Sequence, residues 1–424
     1  MTEKKLSIKQ NLLYNSFGSM FYLVCQWLIT VLVVQLSSYA DAGNLSLAIS
    51  ITNIFFTIAT FGIRTFQVSD INNKYSSSSY VTTRIITASI SFTLCVGFVF
   101  LNQHYTAEQM GCIILYMVFR LSEIFVDVLH GIQQKAYRMD YIARSFVLRG
   151  VLLLSSFCLV LFFTQSLLLA LTVMSLCTMA VVLFLDLPTS YRLSPFRVHI
   201  AKQDLKQILL ECWPLMFNTT MITALVSIPR YFLEMFYDNQ VLGFYSSVAT
   251  PAVIVQTACS WIYSPLITTI AENYTKRKKK EYLTILIRAV SAIALCSVVI
   301  LIGAALLGEW GLTLLFGTKI LPYVYLLIPV LLTTVMIAFC YFTDMLLTIT
   351  RRLKVTSLAV TCAVLAELAL SVLLIQNFCM DGVNYVLYIG FGIVLTIQIT
   401  FLSVIVHRHF AVSPKTNEDD KPPA

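Results

Sequence analysis

Charged residues are scarce in this chain, at 12%, about half of what soluble domains carry. That shortage excludes a solvated domain of useful size. The eleven cysteines never fall into a C-x-x-C or other metal-ligand spacing. Neither a disulfide framework nor a metal centre is expected, and the thiols read as small core hydrophobes. The first six apolar runs contain no proline, so nothing in them favours a kink. Positive charge is nearly missing from alternate connections, which leaves no basic surface there for nucleic acid.

What remains is apolar length. Hydrophobic residues make up 58% of the chain, and runs of 18 or more recur, each able to cross a roughly 30 Å hydrocarbon core. Twelve spans fit, at about 11–36, 45–66, 83–101, 110–131, 145–163, 167–186, 208–233, 242–270, 282–306, 322–347, 355–376 and 385–406. The basic N-terminus MTEKKLSIK precedes an apolar run longer than a signal-peptide core, so it reads as a retained first span. The expected fold is an all-α polytopic membrane protein of about twelve helices. The longest interruption, DLPTSYRLSPFRVHIAKQDLKQ, divides it into two six-span halves, as in duplicated transporters. The expected organisation is a first lobe over 1–200, a second over 201–412, and a disordered polar tail over 413–424.

With the N-terminus inside, 25 of the 29 lysines and arginines fall on inner segments, Lys319 falls outside, and Arg64, Arg120 and Arg230 lie within spans. This bias predicts cytoplasmic termini. The run TKRKKKE then reads as a topology determinant resting on anionic lipid heads. The outer loops are too short to house a catalytic domain, so no enzyme and no catalytic residues are expected.

The charges inside the spans carry the functional argument. In FRLSEIFVDVLHGI, Arg120, Glu123, Asp127 and His130 fall within an arc of roughly 80° on one helix face. Intramembrane charge is costly and faces a bundle interior or an aqueous cavity. It serves a passing ligand, or it forms an internal Arg–carboxylate pair that fixes packing. Arg64 closes span 2 and either reaches the cavity or snorkels to lipid heads. Arg230 sits near the outer end of span 7, with Glu234 one turn on as its alternative partner. Arg149 and Arg288 lie about a turn inside the cytoplasmic face. A cavity lined by these five cations suits a diphosphate, which guanidinium holds through forked hydrogen bonds. Glu123, Asp127, Asp344 and Glu367 are candidates for coupling to a proton or sodium gradient, because buried acids exchange protons near neutral pH. Glu367 is equally able to bond a neighbouring helix and do nothing else. Six prolines in spans 7, 8 and 10 (Pro214, Pro229, Pro251, Pro265, Pro322 and Pro329) mark the second half as the bendable one.

The series NLLYNSFGSMFYLVCQWLITVLVVQL and then DAGNLSLAISITNIFFTIATFGIRTFQVSDINNKY resembles spans 1 and 2 of bacterial polysaccharide repeat-unit flippases. These belong to the MOP exporter superfamily, with lipid II flippases and multidrug (MATE) exporters. VLGFYSSVATPAVIVQ and LLFGTKILPYV are similar to the same group. The resemblance implies two six-helix lobes around a central cavity in the bacterial cytoplasmic membrane. It also implies movement of an undecaprenyl-diphosphate-linked oligosaccharide between leaflets, with no cofactor. Arg64 matches the arginine that closes the span-2 motif. Polysaccharide polymerase and glycosyltransferases are the implied partners. A cation-coupled multidrug exporter and a lipid II flippase are the alternatives.

Overall fold

The computed structural model of the chain describes residues 6–70, 73–102, 104–252, 255–256 and 266–411. The polar tail at 413–424, Pro265 and part of span 8 lie outside them. Nine helices among the described residues are long and apolar enough to cross a membrane. Twelve crossings fit these coordinates for three reasons. Span 4 (Ala107–Lys135) has the length and lacks only the low charge. Span 8 is seen as Asn239–Ala249 and Ile267–Thr275. The 59-residue helix Leu353–Ala411 is two spans meeting at Cys379, where φ is 51°; unbroken, it would run to nearly 90 Å at 1.5 Å per residue. The connection QNFCMDGVN, expected as a loop, is thus a single-residue kink between spans 11 and 12.

Hydroxyl and acidic side chains cap the starts of spans 1, 2, 3, 4, 6 and 8. Ser7 and Thr106 form reciprocal capping boxes with Gln10 and Gln109 at spans 1 (Ile8–Leu36) and 4. Ser38, Ser76, Ser166 and Asp238 cap spans 2, 3 (Ser77–Leu101), 6 and 8. Span 2 (Tyr39–Thr60) stops short of its expected end at Phe61 and Gly62, both left-handed, and resumes as Ile63–Ser69. A side chain at Gly62 would strike Leu215. Span 6 (Leu167–Val181) runs past its expected end through a π turn, Val182–Asp186, into Leu187–Leu193. Pro188 explains that turn: its ring has no N–H and crowds the carbonyl four residues back, which a widened turn relieves. Pro214 and Pro229 lie inside span 7 (Lys202–Phe236), whereas Pro322 belongs to the 3-10 segment Thr318–Leu326 ahead of span 10 (Leu327–Ile349).

Span 1 packs along span 5 (Met139–Thr164), span 4 against spans 2, 3 and 6, and span 7 along the helix Leu353–Ala411. Span 9 (Lys279–Phe316) lies at the periphery with most side chains exposed. The chain ends share one face: Leu6 meets the turn after span 4, and His409 stacks on Tyr274 at the end of span 8. The halves meet at both faces. On the terminus face, Lys74 Nζ pairs with Glu211 Oε1 at 2.6 Å, and Tyr75 OH donates to Gln207 at 3.2 Å. On the opposite face spans 2 and 8 cross almost backbone to backbone. Any β-carbon on Gly43 would overlap the Asn239 carbonyl, and one on Gly243 the Tyr39 carbonyl. Such small-residue crossings are a familiar membrane packing device.

Candidate functional site

Between the halves lies a cavity of about 230 Å³, lined from spans 1, 2, 4, 7 and 8. Among the described residues its charged lining is Arg120 and Arg230; the rest is hydroxyls, Gln26, Trp27, Tyr116 and aliphatic groups, with no carboxylate. Ser46 and Ser246, one from each half, share a hydrogen bond on its wall, and Trp27 Nε1 donates to the Thr250 carbonyl at 3.2 Å.

The two arginines differ. Arg120 is engaged through both terminal nitrogens, while its buried Nε has no partner among the described residues. Its guanidinium bonds Glu123 Oε2 and Asn53 Oδ1 and lies over the Phe56 and Tyr116 rings at 5.0 and 5.3 Å. The other Glu123 oxygen accepts from Tyr22 OH at 2.8 Å and Gln26 Nε2 at 2.7 Å. The pair thus ties spans 1, 2 and 4 together. Arg230 is partly buried, and among the described residues no carboxylate pairs with it. The Glu234 partner suggested by spacing instead accepts from Gln109 Nε2. Arg230 therefore reaches the cavity with its donors free.

Lower on span 4, Asp127 sits between two arginines. Arg84 Nη2 reaches one carboxylate oxygen at 2.6 Å and Arg64 Nη1 the other at 3.5 Å, while Arg64 Nη2 donates to Gln134 at 2.9 Å. Arg84 is wholly buried and also donates to the Ala59 carbonyl at 2.9 Å, satisfying a chain end left open by the break at Phe61. Arg149 is buried over the Tyr22 ring and donates to Ser122 Oγ at 3.1 Å. His130 faces Asp186 of the π turn. Arg288 is exposed on span 9, away from the cavity. The structure brings Arg120 and Arg230 to one cavity, places Arg64 and Arg149 in adjoining networks, and leaves Arg288 apart.

Of the acids, Asp344 accepts from Thr356 Oγ1 at 2.6 Å. Glu367 is wholly buried against Gly390, with neither oxygen hydrogen-bonded. Sequence reasoning missed Arg84, Asn53 and Asp186. Arg84 counts as an ordinary inner-end cation, Asn53 is neutral, and Asp186 looks like the first residue of a loop. A 3–4 spacing between Arg84, Thr87 and Ser91, which all turn to span 2, was the available signal.

A model of the family described as "Polysaccharide biosynthesis protein" matches residues 8–271. The chain belongs to that family. It is 26% identical over 317 residues to the capsular polysaccharide biosynthesis protein CapF of Staphylococcus aureus, covering 73% of this chain and 78% of that one. Its fold is that of the MOP superfamily. It is similar to the lipid II flippase MurJ in an inward closed conformation (TM-score 0.73, 11% identity, 94% of this chain and 90% of that). It is also similar to an inward-facing MATE multidrug resistance transporter (TM-score 0.71, 13% identity, 95% and 99%). A third likeness is to a Pyrococcus furiosus MOP transporter whose binding pocket has reversed polarity (TM-score 0.60, 14% identity, 95% and 96%). The chain is a multi-pass membrane protein of polysaccharide biosynthesis with a transporter fold.

Proposed function

We propose that this protein flips an undecaprenyl-diphosphate-linked oligosaccharide from the inner to the outer leaflet of the bacterial cytoplasmic membrane by alternating access, with both termini cytoplasmic. One observation carries the reading: among the described residues, the wall of the cavity between the halves has two guanidiniums and no carboxylate. A diphosphate suits that lining, through charge-assisted, forked hydrogen bonds to Arg230. A cationic drug does not, because it would enter a positive cavity without a counter-ion. Arg120, paired with Glu123, shapes the wall. Arg64 and Arg149 extend the positive potential toward the terminus face. Sugar-transferring and polymerising enzymes supply and consume the lipid-linked substrate, and the protein itself does no bond chemistry.

Transport draws on a proton or sodium gradient. Glu123 and Asp127 are held by arginines and Asp344 by Thr356, which leaves Glu367 as the acid best placed to take a cation.

The test is reconstitution in liposomes with a fluorescent undecaprenyl-diphosphate oligosaccharide in the leaflet on the terminus side. Leaflet exchange that is lost in Arg230→Gln and kept in Arg288→Gln is expected. Efflux of a cationic dye under an ion gradient, with no lipid exchange, would replace this reading with a drug exporter.

A further inference from the structure

Span 4 carries its ionisable groups at intervals of three and four residues, and three of the four, Arg120, Glu123 and Asp127, sit in close ion pairs or charge-assisted hydrogen bonds. Glu123 receives three donors, from Arg120, Tyr22 and Gln26. Asp127 receives two arginines. The exception is His130. Its Nε2 lies 3.5 Å from Asp186 Oδ1, both residues are 1% exposed, and neither of these two atoms has a hydrogen bond. The second Asp186 oxygen is settled by Ser145 Oγ at 2.8 Å, and the imidazole is held edge-on against the Phe146 ring. Asp186 faces inward because it ends the π turn that Pro188 imposes, and such turns recur at functional sites.

We infer that His130 and Asp186 form a proton-binding site in the first half of the molecule, distinct from the four acids considered for coupling. A proton from bulk water lands on His130 Nε2 and turns a loose contact into a charge-assisted hydrogen bond to Asp186. No covalent bond is made or broken. A polar file leads away from the pair: Gln133, a turn along span 4, donates to Ser190 Oγ at 3.0 Å beyond the π turn. The groups that face His130 besides Asp186 are Arg149 of span 5 and Arg64 of the segment after span 2. Asp127 with Arg84 lies one turn away, and Glu123 with its partner Arg120 lies from two turns away. Within this set, four arginines stand against three carboxylates. Protonating His130 therefore doubles the net positive charge of this set, whose far member Arg120 lines the cavity. Proton occupancy then sets how strongly the first half attracts an anionic substrate, a role that rests on the transport reading above.

The experiment has a spectroscopic arm independent of transport. In the full-length protein, His104, His199, His407 and His409 are changed to Gln so that His130 is the sole imidazole. Infrared difference spectra are then taken across pH 5 to 8, where an imidazole ordinarily titrates. An imidazole band that titrates together with a carboxylate band, the latter lost in Asp186→Asn, is expected; an imidazole silent over that range overturns the site. In liposomes, exchange of the fluorescent diphosphate lipid should change about fivefold over the same range and less than about twofold in His130→Gln. A His130→Gln profile of wild-type shape, merely lower, means the pair only holds spans 4 and 6 together and overturns the proposal. Titrating bands without lipid exchange at any pH would count against the transport reading and leave the proton site standing.

Discussion

At the scale of single residues, Arg120 and Arg230 share one cavity but differ in what their loss removes. Arg120→Ala strands Glu123 as a buried charge with only neutral donors, a change of the kind that costs about 3–5 kcal/mol. It should lower thermal stability in detergent sharply, and adding Glu123→Gln should restore much of the loss. Arg230→Gln removes a guanidinium with no carboxylate partner, so the melting temperature should hold while lipid exchange fails. A thermal-shift series run beside the flipping assay checks both. The sequence made the span-4 stripe legible because four ionisable groups at helical spacing have no other use in lipid. It could not say which arginine was occupied. That depends on Asn53, Tyr22 and Gln26, neutral residues on other spans whose approach leaves no mark in the local pattern.

At the scale of elements, the connection between spans 2 and 3 is folded around one carboxylate. Burial raises Asp70, but bonds from the Lys74 and Tyr75 amides and from Tyr80 OH outweigh it and hold the group below the usual carboxylate range. Its folded value is depressed, so its contribution is complete above the unfolded value and lost only as pH falls through the folded one. Hydrogen exchange in this connection should stay slow from neutral pH down to mild acid, and Asp70→Asn should speed it at every pH. Bonding to Glu211 and Tyr75 raises the neighbouring Lys74, so the lysine keeps its charge through the neutral range and gives it up only at strongly alkaline pH. Being exposed, its pair with Glu211 should respond to salt. On the opposite face, Gly43→Val should separate spans 2 and 8 and reduce the folded yield, scored by monodisperse chromatography. Helix number and most boundaries were legible from apolar length alone. The glycine crossing was not, because a glycine inside a helix has no signature until the facing backbone is known. The end of span 6 was missed for a related reason: Pro188 reads as a stop, and the chain widens around it instead.

At the scale of the whole molecule, the two halves are tied at both faces around the shared cavity, and transport requires one set of ties to yield. Cysteines replacing Lys74 and Glu211 should form a disulfide under oxidation that stops lipid exchange, and reduction should restore it. Unchanged exchange with the disulfide formed would mean the molecule opens elsewhere. The ion pair is surface chemistry of modest strength, while the glycine crossing is close backbone contact, so the terminus face is the one expected to part first. Two interruptions also touch beneath that face. Gly62, where span 2 breaks, has Leu215 against it, and Leu215 follows Pro214, where span 7 lacks a hydrogen bond. A bend at either joint therefore presses on the other, and Arg64 lies two residues beyond the break. If the joints act as a crank, Leu215→Ala should loosen the tie between the position of a cation in the first half and the angle of a helix in the second.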